Sequence, residues 1–114
     1  MDLSQLVADE REVDIQTPSA DRRVTIWAVV DDGQVYVRSY KGRSGRWYQD
    51  ASAHPDVVLW VDDRPFDLRA VPVADEALND RVSTAYLTKY ANSGPAQAMT
   101  TPEVRTTTLR LDPR

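Results

Sequence analysis

Val24-Thr25-Ile26-Trp27-Ala28-Val29-Val30-Asp31-Asp32-Gly33-Gln34-Val35-Tyr36-Val37 sets the fold class of this 114-residue chain. Within an extended run from Arg22 to Val30, one face carries Val24, Ile26, Ala28 and Val30 and the other Thr25, Trp27 and Val29. Two apolar faces predict a central strand covered on both sides. Asp31-Asp32-Gly33 reads as a tight hairpin turn, because Asp and Gly tolerate the positive φ angles such a turn demands. The returning strand, Gln34 to Ser39, points Val35 and Val37 inward and Gln34, Tyr36 and Arg38 to the opposite face.

Toward the N-terminus, Leu3, Leu6 and Val7 stand at helical spacing with Asp2 or Ser4 available as a cap, predicting a helix over roughly the first eight residues. Glu12 to Gln16 alternates as a short strand, and Thr17-Pro18-Ser19-Ala20-Asp21 is turn chemistry. Toward the C-terminus, Trp47 to Ala53 reads as a short helix stopped near His54-Pro55. Asp56 to Val61 is a strand apolar on both faces. Asp62-Asp63-Arg64-Pro65 turns the chain, and Phe66, Leu68 and Ala70 alternate with Asp67 and Arg69 toward Val73. Asp75 caps an amphipathic helix to about Tyr90, with Leu78, Val82, Ala85, Tyr86 and Lys89 on one stripe. Ala91-Asn92-Ser93-Gly94-Pro95 ends it. One helical turn fits within Ala96 to Pro102, and threonine-rich Val104 to Leu111 is β-prone. Short antiparallel strands with one crossing helix predict a mainly β, α+β protein: a small antiparallel barrel forming one domain over 1–114.

Fourteen Lys and Arg against eighteen Asp and Glu give a net charge of −4. That balance excludes general nucleic-acid binding, which needs a broad basic face. No apolar run approaches the length of a membrane span. Zero cysteines exclude disulfides, thiolate zinc sites and cysteine nucleophiles. With no signal-like N-terminus, the expected location is the cytoplasm.

Positive charge is concentrated in one place. Arg38-Ser39-Tyr40-Lys41-Gly42-Arg43-Ser44-Gly45-Arg46-Trp47-Tyr48 holds four basic residues, with no acidic residue between Asp32 and Asp50. Lys41, Arg43 and Arg46, with backbone amides around Gly42 and Gly45, fit a phosphate or carboxylate. The same loop also reads as a solvated bend balancing acidic neighbours, since it carries neither a Walker nor a dinucleotide motif. Trp47 and Tyr48 adjoin it and could wall a pocket, whereas the mid-strand places of Trp27 and Trp60 favour core or subunit packing. His54 is the one histidine, without a triad or metal set around it, and the pairs Asp31-Asp32 and Asp62-Asp63 read as turn residues. Ser39 and Ser44 have no evident base partner, so nothing marks nucleophilic catalysis.

The hairpin resembles the paired strands of the flavin-binding split-barrel superfamily, which includes pyridoxamine-phosphate-oxidase-like proteins and deazaflavin-dependent nitroreductases and quinone reductases. Ser39-Tyr40-Lys41-Gly42, Arg46-Trp47-Tyr48 and Ala53-His54-Pro55-Asp56-Val57 resemble the deazaflavin branch, where a Ser-x-Lys-Gly loop and a Trp-Tyr helix precede Asn-Pro-x-Val. The chain is similar, too, to a small uncharacterised bacterial family assigned to that superfamily. The resemblance implies a split β-barrel homodimer. Ser39, Lys41 and Gly42 would line the cofactor's phosphate end, Thr25 and Trp27 its ring, and Trp47 and Tyr48 the pocket rim. Arg43 and Arg46 join the set for their charge alone. The deazaflavin enzymes carry a Gly-Arg-x-Ser-Gly turn before the first core strand. Here Thr17 to Arg23 lacks those glycines, leaving Arg22 and Arg23 as the charges available in its place.

Two functions follow. The first is an FMN- or deazaflavin-dependent oxidoreductase passing hydride to a small planar or quinone-like acceptor, in which the cofactor carries the chemistry. The second is a non-catalytic barrel that has lost its cofactor and serves as a ligand-binding or interaction module.

Overall fold

The computed structural model describes residues 2–91 and 93–114. Helix α1 (Leu3–Asp9) leads into β1 (Val13–Gln16), β2 (Val24–Ile26), β3 (Ala28–Asp31) and β4 (Gln34–Val37). Helix α2 (Arg46–Ala53) then precedes β5 (Asp56–Val61) and β6 (Arg64–Pro72). Helix α3 (Glu76–Lys89), a 3-10 segment (Gly94–Thr100), α4 (Pro102–Arg105) and β7 (Leu109–Pro113) complete the chain. The strands form one seven-stranded sheet in the order β2-β1-β5-β6-β7-β4-β3. Every pairing is antiparallel, and the sheet curls into a nearly closed barrel, the expected α+β fold. Among the described residues, no helix is long and apolar enough to cross a membrane.

The run 22–30 differs from its expected form. It breaks at Trp27, and the two halves become the two ends of the sheet order, β2 pairing β1 and β3 pairing β4. A chain that must supply both edges of a closing sheet cannot keep one straight ladder, so it bends between them. The bend turns the Trp27 and Ala28 carbonyls toward α3. Tyr86 Oη donates to Trp27 O at 2.9 Å, and Lys89 Nζ donates to Ala28 O at 2.7 Å. Tyr90 Oη donates to Arg11 O at 2.7 Å and reaches Ala28 O at 3.3 Å. Helix α3 therefore closes the seam with side-chain donors where backbone donors stop.

Two cores result. Val13, Ile15, Val35, Val37, Leu59 and Leu111 are among the residues that fill the barrel. Outside it, Val29 and Tyr36 pack with Val82, Tyr86, Tyr90 and Met99. The β3–β4 hairpin is thus covered on both sides. Its turn has Asp32 at φ 50° and Gly33 at φ 76°, and the β5–β6 turn has Asp62 at φ 52° and Asp63 at φ 61°. Asp32, Asp62 and Asp63 are turn residues in left-handed backbone, which Asp tolerates better than most side chains, whereas Asp31, expected in the turn, ends β3 opposite Gln34.

Local signals place the helices well. Asp2 and Asp75 cap α1 and α3 by accepting from Gln5 and Leu78 amides, and α2 stops at His54 before Pro55. The expected stop at Ala91–Pro95 includes Asn92, outside the described residues. The threonine-rich stretch is a strand only from Leu109. Thr106, Thr107 and Thr108 donate their hydroxyls to the carbonyls of Glu103, Val104 and Arg105 at 2.6, 2.6 and 2.8 Å. Those local bonds finish α4 and offer the backbone an alternative to the sheet.

Replacing Tyr90 by Phe keeps the ring and removes the donor to the seam carbonyls. We expect a loss of about 1–2 kcal/mol in urea unfolding, with the barrel's far-UV dichroism unchanged.

Candidate functional site

A cavity of about 590 Å³ opens beside the basic loop. Its wall is contributed by β2 and Trp27, by the residues after β4, by the entry to α2 and by Met99 of the 3-10 segment. Of the residues singled out in the sequence, Thr25, Trp27, Ser39, Lys41, Arg46 and Trp47 lie on this wall. They come from three separate stretches, 25–27, 39–41 and 46–47, and meet because β2 and β4 end at the same rim.

Three others are not on it. Gly42 is buried at φ +68°, and an added Cβ would meet the Glu103 carboxyl group at 2.8 Å. Arg43 turns to Thr106, its Nε donating to Oγ1 at 3.2 Å. Tyr48 packs against the barrel core, edge-on to Trp47.

Trp27 is half-buried and stacks on Tyr90, with centroids 3.9 Å apart and planes 4° from parallel. The Arg11 guanidinium lies 5.6 Å from the Trp27 centroid. Such a braced indole presents a rigid aromatic wall. Thr25 is exposed and donates to Asp14 at 2.8 Å. Trp60, by contrast, is on no wall of the cavity: Arg23 lies over its ring at 4.5 Å and its Nε1 donates to Gln16.

The floor beneath the loop is built around Ser39. Its backbone N–H donates to Thr107 Oγ1 at 2.9 Å, and its carbonyl accepts from the Gly42 amide at 2.9 Å. The Ser39 hydroxyl is buried without a hydrogen-bond partner. A buried unpaired hydroxyl carries a desolvation cost of about 1–3 kcal/mol, and this one lies against Gly45, where any Cβ would collide with it. Gly45 is also the N-cap of α2 and provides no side-chain acceptor for the first-turn amides. The first turn contains no acidic residue and begins with Arg46. A cation at the positive end of a helix is locally unfavourable, and a bound anion would reverse that.

Arg22, Lys41 and Arg46 are exposed around the opening, and none forms an ion pair among the described residues. Arg23, the neighbouring candidate, is instead held by Asp14 and Asp63 at 3.7 and 3.5 Å. The wall's one carboxylate is Glu12. The site thus combines an orphaned hydroxyl, a glycine cradle, open helix amides and three unpaired cations beside a flat indole. These groups fit a planar ligand with an anionic tail.

Arg38 is the main departure from expectation. Its charge belongs to the basic stretch in sequence, but it is only 1% exposed, because α3 and the 94–100 segment cover the outer face of β4. Its Nε donates to Thr108 Oγ1, Nη1 to Ser83 Oγ and Met99 O, and Nη2 to Asn79 O and Oδ1. Alternation along the strand put it opposite Val37 but gave no sign that a second core would close over that face.

The chain belongs to the bacterial family DUF2255, described as an uncharacterized protein conserved in bacteria, whose model matches residues 3–111. No curated protein is a significant match. Among solved structures, it is similar to an F420-H2 dependent reductase (FDR-A), at 18% identity and TM-score 0.65, covering 90% of this chain and 95% of that one. A chain described as a domain-swapped dimer aligns at 17% identity and TM-score 0.64, covering 91% and 81%. A putative pyridoxamine 5′-phosphate oxidase from Listeria innocua aligns at 11% identity and TM-score 0.62, covering 96% and 90%. At these identities the likeness establishes the split-barrel fold.

Gly45→Ala should destabilise the protein by about 1–3 kcal/mol through overpacking against Ser39. Adding Ser39→Ala should recover most of that loss. A double-mutant cycle in denaturant measures the coupling, and additive effects would show that the two residues do not form the cradle.

Proposed function

We propose that this chain, acting as one cytoplasmic domain, binds a flavin or deazaflavin in the cavity and serves as an oxidoreductase toward a small planar or quinone-like acceptor. The observation that carries this reading is the buried, unpartnered Ser39 hydroxyl at the floor of a glycine cradle surrounded by unpaired Lys41, Arg46 and Arg22. When bound, such a cofactor supplies hydride chemistry. The chain's own residues bind and orient. Ser39 donates to a phosphate oxygen, the α2 amides and Arg46 complete the anion site, and Lys41 neutralises charge at the opening. Trp27, fixed by Tyr90, offers its face to the ring and keeps water from one side. The described site has no acid–base dyad, and hydride transfer requires none on the protein.

A second copy would complete the open side of the cavity. Tyr40, 60% exposed on the rim, is the large apolar side chain such a partner would cover. The neighbour described as a domain-swapped dimer and those named as an F420-H2 dependent reductase and a putative pyridoxamine 5′-phosphate oxidase support the reading by analogy of fold.

The test is a fluorescence titration with FMN and with F420, each against its phosphate-free counterpart. Lys41→Ala with Arg46→Ala should weaken the phosphorylated ligands by at least about tenfold, equivalent to about 1.4 kcal/mol, and leave the phosphate-free ones unchanged. Equal weakening of both would remove the phosphate cradle. Binding of simple phosphate esters without either ring compound would favour the cofactor-free ligand module.

A further inference from the structure

Buried charges are ordinarily paired, since removing an ion from water is costly. Arg38 breaks that rule. All its partners are neutral: two hydroxyls, two backbone carbonyls and one side-chain amide oxygen. From α3 it also faces the Tyr86 ring, 5.7 Å from its guanidinium carbon. Near the C-terminal end of α4 the charged group is another cation, Arg105, which already engages Glu76 and Asp80 at 3.0 and 2.7 Å. No carboxylate pairs with Arg38 among the described residues, and burial pulls its guanidinium down to about 10, leaving it charged at neutral pH.

Arg38 also lies on the cavity wall, bonded to the carbonyl of Met99, another wall residue, and beside Tyr86, whose hydroxyl donates to the carbonyl of Trp27 on the ring side of the cavity. Its N–H groups are engaged, so it acts on a ligand through its field. That field is strong because little water intervenes on the protein side. Glu12, the wall's one carboxylate, is exposed and forms no ion pair with it.

We propose that Arg38 is an electrostatic positioning residue: its permanent buried charge makes the cavity select the anionic form of a bound ring, independently of the rim cations that hold the phosphate tail. This rests on the placement of a phosphorylated planar ligand in the cavity. The ligand class it singles out is an aromatic phosphate ester whose ring carries an acidic hydroxyl or amide that can ionise.

The probe is 8-hydroxy-FMN, whose ring hydroxyl ionises with a visible absorbance change. Saturated with wild-type protein, its ionisation constant should rise by roughly tenfold or more. The rise should persist in 1 M KCl, where the screening length is about 3 Å and exposed Lys41, Arg46 and Arg22 lose most of their influence. Arg38→Met should abolish the salt-resistant part, and Arg38→Lys should restore some of it. If Arg38→Met does not fold, the salt dependence of the wild type decides. A bound ring that ionises as it does free in solution, or a shift that vanishes in 1 M KCl, overturns the role of Arg38 while leaving the phosphate cradle standing. Failure of the probe to bind at all overturns the cradle and this role together.

Discussion

The bend at Trp27 is the constraint from which the architecture follows. One short run of chain supplies both edges of the sheet, so the barrel closes covalently at the point where its backbone ladder is interrupted. The covered carbonyls of Trp27 and Ala28 must then find donors, at about 1–3 kcal/mol for each that does not. Tyr86 and Lys89 provide them from the last turns of α3, and Tyr90 from its C-cap. Desolvation at this seam shifts the donors themselves. Burial raises both tyrosine hydroxyls and lowers Lys89 to about 8. The Glu10 carboxylate opposes that loss by favouring the lysine's charged form, while its ammonium donates to the carbonyls of Val7 and Ala28.

The same helix determines the electrostatics of the cavity. By lying on the outer face of β3 and β4 it converts that face into a second core and encloses Arg38 there. Two kinds of positive charge then border one space. Those at the opening are exposed to water, where dissolved ions screen them. The one in the wall is buried and held by five hydrogen bonds to neutral groups.

Much of the framework was legible from local chemistry. Asp-Gly and Asp-Asp turns, the Asp75 cap, the His54-Pro55 stop and the alternation in Asp56 to Val61 each depend on neighbours a few residues away. The lining of the candidate cavity was legible in part for the same reason, since Ser39, Lys41, Arg46 and Trp47 are close in sequence. In the sequence Arg22 reads only as a replacement charge for the absent glycine-bearing turn, and Gly45 only as a source of backbone amides. Its fit against Ser39 requires the loop to fold back on itself. Thr106 to Thr108 misled because threonine's β preference yields when its hydroxyl can bond a nearby carbonyl.

The amino-acid order alone determined an antiparallel α+β barrel with a cationic, glycine-bearing bend after its best hairpin, because period, turn chemistry and caps are short-range properties. Only the tertiary structure decided that the strand through Trp27 is divided between two edges, that Arg38 is buried beneath α3, and that the Ser39 hydroxyl is left without a partner. Each of those depends on which distant surface covers a residue. Burial by α3, some forty residues further along the chain, is invisible in the pattern of the strand it covers.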